Sequence, residues 1–174
     1  MTTLQRITSE YIESEDRIRL TAISDAEETL ILWVTQRLLI RLIAHFLGWL
    51  EKEAPEVARS SAIGNETKSA LQEMAQQSAA AKLQEQSAVT ANSDSTASLV
   101  KEIDIKMSEE VVLLVFKYDD GRKAELNFTI QQLRQWLGMI HKLWRQAEWP
   151  VSIWPDWMDD KLQSDSVSAD SSVH

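Results

Sequence analysis

Residues 33–50, WVTQRLLIRLIAHFLGWL, restrict the fold more than any other part of this chain, because a strand end runs there directly into a helix that is apolar around most of its circumference. Thr35 stands where an N-cap belongs, its hydroxyl able to accept from a backbone N–H two or three residues on, and Pro55 stops the helix after residues 51–53. A helix of roughly 20 residues is about 30 Å long. Leu38, Leu39, Ile40, Leu42, Ile43, Ala44, Phe46, Leu47, Trp49 and Leu50 exceed the single stripe of an ordinary surface helix, so enclosure on most sides is expected. Arg37, Arg41 and His45 follow at i, i+4 as its one polar line, which ends at Gly48. Arg41 and His45 also interrupt the ~20 apolar residues that a membrane span requires, so burial within protein is the better explanation.

With 174 residues there is room for one domain or for two small halves sharing a core. The absence of cysteine removes disulfides, thiolate nucleophiles and cysteine-based zinc sites. No apolar run follows the N-terminal MTTLQR, which is not read as a secretory signal, and a cytoplasmic location is expected. A formal net charge of -9 argues against tracking a phosphate backbone, which takes clustered Lys and Arg.

Residues 4–12 are rich in β-branched types, 17–23 alternate polar and apolar, and 29–34 set Leu30, Leu32 and Val34 on one face, giving three strands before the long helix. Residues 55–98, dominated by Ala, Ser, Gln and Glu, hold too little apolar surface to offset the entropy of ordering and read as a linker, partly helical or disordered. Within it, 68–86 supports a frayed helix at best, with Leu71, Met74 and Leu83 as a weak apolar edge. From Leu99 the first pattern returns: Ile103 and Ile105 in a strand, then strands at 111–118 and 122–128, then Thr129 opening a second helix. Asp119-Asp120-Gly121 reads as a hairpin turn, since Gly tolerates the positive φ such turns require.

Shifting the chain on itself by 94 positions aligns the halves without a gap from Ser9 to Phe46. Leu39, Leu42, Ile43, Phe46 and Leu50 fall on Leu133, Trp136, Leu137, Ile140 and Trp144, so the core-facing stripe is kept. The other faces differ, with Leu38 on Gln132, Ile40 on Arg134 and Leu47 on His141; the first helix is therefore expected to be central and the second more exposed. The expectation is an α+β fold of two βββα units, 1–54 and 99–158, packed as a pseudo-twofold pair with antiparallel sheets and one long helix per unit. A unit of ~50 residues is marginal alone, so pairing is physically reasonable.

After the second helix, Pro150 and Pro155 favour extended backbone, and Trp149, Trp154 and Trp157 crowd the short piece between 147 and 158. The cluster reads first as a latch over the second helix and second as an anchor for a partner. Residues 159–174, rich in Ser and Asp, are expected to form a disordered acidic tail.

Chemical motifs are scarce. His45 and His141 are not repeat equivalents and lie in no H-x-x-x-H pattern, so no metal is expected. Among four glycines there is no phosphate-cradling run, and no cofactor is expected. Thr35 and Thr129 read as caps rather than nucleophiles, and Asp25 and Asp119 as turn residues rather than an acid-base pair. Arg37 and Arg41 lie near the N-terminus of the first helix, where an anion could bind; pairing with Glu10 or Glu13, or plain solvation, is favoured over that use. Arg6, Arg17 and Arg19 form at most a small basic strip, diluted by Glu10, Glu13, Glu15 and Asp16.

These features indicate a noncatalytic cytoplasmic interaction module acting as an adaptor, a chaperone-like binder or an assembly subunit. Its partner is a protein or a second copy, and its candidate surface comprises Arg37, Arg41, Trp49, Trp149, Trp154 and Trp157. If the first helix is only partly covered, Ile40, Leu47 and Trp49 would form a homodimer seam. A small-ligand sensor, with a cavity between sheets and helices near Trp33, Arg37 or Trp136, is the alternative reading. Weak nucleic-acid binding through the Arg strip ranks last, and no membrane association is expected.

Overall fold

The structure, a computed structural model, describes residues 1–52 and 64–159. The expected helix stop at Pro55 and the expected tail from 160 to 174 lie outside the described residues. The elements run β1 (Thr2–Ile12), β2 (Arg17–Ser24), β3 (Thr29–Val34), α1 (Gln36–Lys52), α2 (Asn65–Ala81), β4 (Thr96–Leu99), β5 (Glu102–Met107), β6 (Val111–Tyr118), β7 (Arg122–Thr129) and α3 (Ile130–Gln146).

Period-two alternation decides which side of each strand is buried. Ile18, Leu20 and Ala22 of β2 face the interior with Leu30, Leu32 and Val34 of β3, and Val112, Leu114 and Phe116 of β6 do so with Ala124, Leu126 and Phe128 of β7. The strands form a single seven-stranded sheet in the order β4-β3-β2-β1-β7-β6-β5. Its two meanders are antiparallel, but β1 pairs with β7 and β3 with β4 in parallel. The sheet is therefore mixed, which corrects the expectation of antiparallel sheets. Alternation reports which face of a strand is buried and carries no information about the direction of its neighbour.

The two ends of the strand order are also neighbours in the chain. Only Val100 and Lys101 separate β4 from β5; the Val100 N–H donates to the Trp33 carbonyl (2.9 Å) and the Lys101 N–H to that of Lys117 (2.8 Å). The sheet thus curls until its ends meet on one interrupted strand. β1 makes the corresponding change of partner without a break, pairing with β7 through Thr2–Leu4 and with β2 as far as Ile12, with a register shift between Leu4 and Arg6. Thr2 lies opposite Ala124 and Thr96 opposite Leu30, so both members of one pair are offset by 94 residues from the members of the other.

α1 and α3 begin on threonine caps. The Thr35 hydroxyl accepts from the Leu38 N–H (3.3 Å), and Thr129 and Gln132 cap each other reciprocally at 3.1 and 2.9 Å. Phe46 of α1 meets Trp136 of α3 edge to face at 6.4 Å, and Trp136 also lies 5.8 Å from Phe128, which joins helices and sheet in one core. The expected ranking of the helices is reversed. α1 leaves Arg37, Ile40, Arg41, Ala44 and His45 exposed, whereas α3 also buries Arg134 and His141. α2 and the C-terminal segment cover the second face of α3, and polar residues at 134 and 141 give no apolar signal of that cover.

α2 is held by glutamines. Leu50 sits near the end of α1, and the Gln72 side-chain amide donates to its carbonyl. The Gln72 oxygen accepts from Arg134 Nη2 (2.8 Å), Gln76 Nε2 donates to the Arg134 carbonyl (2.8 Å), and Gln135 Nε2 donates to the Ala79 carbonyl near the end of α2 (2.9 Å). Met74 and Leu83, assigned above to an apolar edge, are exposed, while Gln72, Gln76 and Ala79 form the buried side. Gly138 leaves room for this approach, since a Cβ there would lie 3.5 Å from Gln76 Nε2. Gly138→Leu is expected to press α2 off α3 at a cost of ~1–3 kcal/mol in urea denaturation. Hydrogen exchange should then show faster α2 amides with β2 and β6 still protected, and unchanged α2 protection would refute this account.

Candidate interaction surface

At 3.6 residues per turn, the buried arc of α1 carries Leu39, Leu42, Ile43, Phe46, Leu47 and Leu50, and the opposite arc carries Arg37, Ile40, Arg41, Ala44 and His45. Ile40 is 36% exposed. Glu10, an expected partner for the α1 arginines, is instead bonded to Arg19 at 2.9 Å, and Glu13 is exposed in the short turn after β1. Neither Arg37 nor Arg41 is ion-paired among the described residues. Of the proposed seam residues only Ile40 lies on this outer arc; Leu47 is buried in its own core and Trp49 is half-buried.

The C-terminal tryptophans are taken up inside the chain. Trp149, Trp154 and Trp157 are 5, 8 and 5% exposed, so they present no outer surface and serve as the latch. Trp144 of α3 meets Trp149 and Trp154 edge to face at 5.0 and 5.6 Å and donates to the Pro150 carbonyl (2.9 Å). The Trp157 indole N–H donates to Glu51 Oε1 (3.1 Å), and the Arg134 guanidinium stands 5.8 Å from the Trp157 ring. The backbone after each proline is a short 3-10 turn, Val151–Ile153 and Asp156–Met158, rather than fully extended. The prolines themselves stay outside the turns, as the residues preceding them. His141, packed 4.7 Å from Trp154, has its pKa held below the ordinary histidine value by burial, with Asp159 opposing and Arg145 reinforcing that shift.

The latch reaches the far end of the first hairpin through Asp16. Its Oδ1 accepts from Trp149 Nε1 (2.9 Å) and from the Tyr11 hydroxyl (2.7 Å), while Tyr11 and Trp149 pack edge to face at 5.7 Å. Asp16 itself has φ 48°, a left-handed backbone that Asp and Asn tolerate.

The arginine strip is already engaged in part. Arg19 bonds Glu10 and stands 6.0 Å over the Trp33 ring on the outer face of the sheet, with Arg17 half-exposed beside it. Trp136 is buried and donates to Ser9 Oγ (3.1 Å). A shallow pocket of about 370 Å³ lies elsewhere, lined by Met1, Thr2, Tyr118, Gly121, Arg122 and Lys123. Asp119 accepts from Ser98 Oγ (2.6 Å), which holds its carboxyl below the usual range. The Asp25 N–H bonds the Thr3 carbonyl. No protein-family model, curated protein or solved structure matches the chain.

The Trp149 bond, then the Tyr11 bond, hold the Asp16 carboxyl below its ordinary value of 3.8. A depressed carboxyl contributes stability above the unfolded value and loses it as pH falls through the lower folded value. Tyr11 is pushed up to about 12, first by its bond to Asp16, then by burial and by the charges of Asp16, Glu13 and Glu148. Its contribution is complete below the ordinary value of 10.0 and is lost as pH rises through about 12. Asp16→Asn, which keeps the backbone, is expected to lower Tm at neutral pH, with the gap closing below about pH 4. Ultraviolet difference titration should show Tyr11 ionising closer to its ordinary pKa in that variant. A variant whose Tm gap does not change with pH would show that the charge of Asp16 is irrelevant.

Proposed function

We propose that this chain is a noncatalytic protein-interaction module whose contact face is the outer arc of α1. The observation that carries the reading is that Arg37 and Arg41 flank the exposed Ile40 with no ion pair among the described residues, although the whole chain has a net charge of -9. An apolar side chain between two available guanidiniums suits a protein surface that presents carboxylates around an apolar centre. The noncatalytic reading is supported by the use of Thr35 and Thr129 as caps, and by the engagement of the Asp119 carboxylate with Ser98. A photo-crosslinking residue at position 44 is expected to give discrete protein adducts in native cells. Arg37→Glu/Arg41→Glu should lower their yield about tenfold or more. Absence of any adduct from the 44 probe would remove the reading.

The same reading extends to the origin of the scaffold as two βββα units about a pseudo-twofold axis. It is supported by the 94-residue offset shared by the Thr2–Ala124 and Thr96–Leu30 pairs, with each unit lending its leading strand to the third strand of the other. Co-expressed halves divided within 53–63 are then expected to assemble one to one, while neither is soluble and folded alone. Two independently folded monomeric halves would contradict the exchange.

A further inference from the structure

We infer that the occupant of the α1 face is a second copy of this chain, packed antiparallel about a twofold axis through Ala44. The inference rests on the preceding reading of that face as a contact surface and names its partner. Arg37, Ala44 and Glu51 are spaced seven apart, and such positions drift only about 20° per step around an α-helix, so they share one line along α1. A twofold axis at Ala44 makes the interface isologous and fixes every opposition in it. Ala44 meets its own counterpart, Ile40 meets the partner's Gly48, and Arg37 meets the partner's Glu51.

These three oppositions are physically favourable. Ile40 is 36% exposed and is a large apolar group on the arc. Gly48, eight residues on, sits inside a helix, where it is less favourable than Ala by about 1 kcal/mol. A Cβ at Gly48 would meet nothing within 4 Å, so close packing inside its own chain does not require a glycine there. An open position at 48 accommodates the Ile40 knob of an antiparallel neighbour, and Ala44 at the crossing allows the helix axes to approach closely.

The charges are self-complementary in the same register. Arg37 has no ion pair among the described residues. Glu51 is exposed, one of its oxygens is fixed by the Trp157 indole N–H, and it is in no ion pair among the described residues. A parallel arrangement would instead set Arg37 and Arg41 against themselves. The seam is one helix wide, so the dimer is expected to be weak and concentration-dependent.

Sedimentation equilibrium of the full chain at 0.15 M salt, from low micromolar to several hundred micromolar, tests the inference, with circular dichroism confirming that each variant is folded. The native chain is expected to show monomer–dimer exchange. Arg37→Glu and Glu51→Arg are each expected to weaken it about tenfold or more, and the double reversal to restore it. Glu51→Gln, which keeps an acceptor for Trp157 and removes only the charge, should weaken dimerisation without disturbing the latch. A monomer throughout, or a dimer indifferent to these reversals, would overturn the proposal. In that event, arginine-dependent adducts from the position 44 probe with another protein would leave the interaction reading standing, whereas a silent probe would end both.

Discussion

The parallel pairing of β1 with β7 is the contact on which the rest of the architecture depends. It comprises Thr2 with Ala124, Thr3 with Glu125 and Leu4 with Leu126, reinforced by the Thr3 hydroxyl donating to Glu125 Oε1 at 3.1 Å. Without it, the first strand of one meander and the last strand of the other would be open edges with unpaired N–H and C=O groups. Each helix would then cover only a three-stranded meander, too small to bury enough surface for stability. Joined, the two meanders give α1 and α3 a common apolar floor, and Phe46, Trp136 and Phe128 can pack as one group.

The second level of organisation is polar. Arg134 is only 2% exposed, and the Gln72 oxygen, the Trp157 ring and the helix packing around it make that burial tolerable. Gln72 also donates to the Leu50 carbonyl of α1, and Gln135 to the Ala79 carbonyl of α2, so side-chain amides bond the three helices to one another near the ends of two of them. Asp16 ties the first hairpin to the C-terminal segment through Tyr11 and Trp149. Residues far apart in the chain are thus held by directional bonds around an apolar core.

Apolar periodicity made the strands, the two capped helices and the shared stripe of α1 and α3 legible before any coordinates. Thr35 and Thr129 were readable because capping depends on local chemistry alone. The parallel seams were not readable, because partner direction is a long-range property absent from any local pattern. β4 is not legible, since Thr96–Leu99 is only four residues long, its alternating apolar pair Ala97 and Leu99 is exposed, and its one buried residue is Ser98. The buried face of α2 is not legible because Gln72 and Gln76 are polar in composition yet interior in place. On the candidate surface, Arg37 and Arg41 were legible as a polar line, whereas Trp149, Trp154 and Trp157 turned inward. Composition alone does not distinguish an aromatic latch from an aromatic anchor; the positions of Asp16 and Glu51 as indole acceptors decide it here.

The short seam at Thr2–Leu4 also sets a schedule for synthesis. Its partner strand is made about 120 residues later, which at ~5–20 residues per second is roughly 6–24 s on the ribosome. During that interval the leading edge of β1 has no neighbour, and β3 waits about half as long for β4. The first meander therefore emerges with both flanks open to other chains. Charged and hydroxyl side chains along those flanks, including Arg6, Glu10 and Thr29, are what nascent neighbours on the same message would encounter.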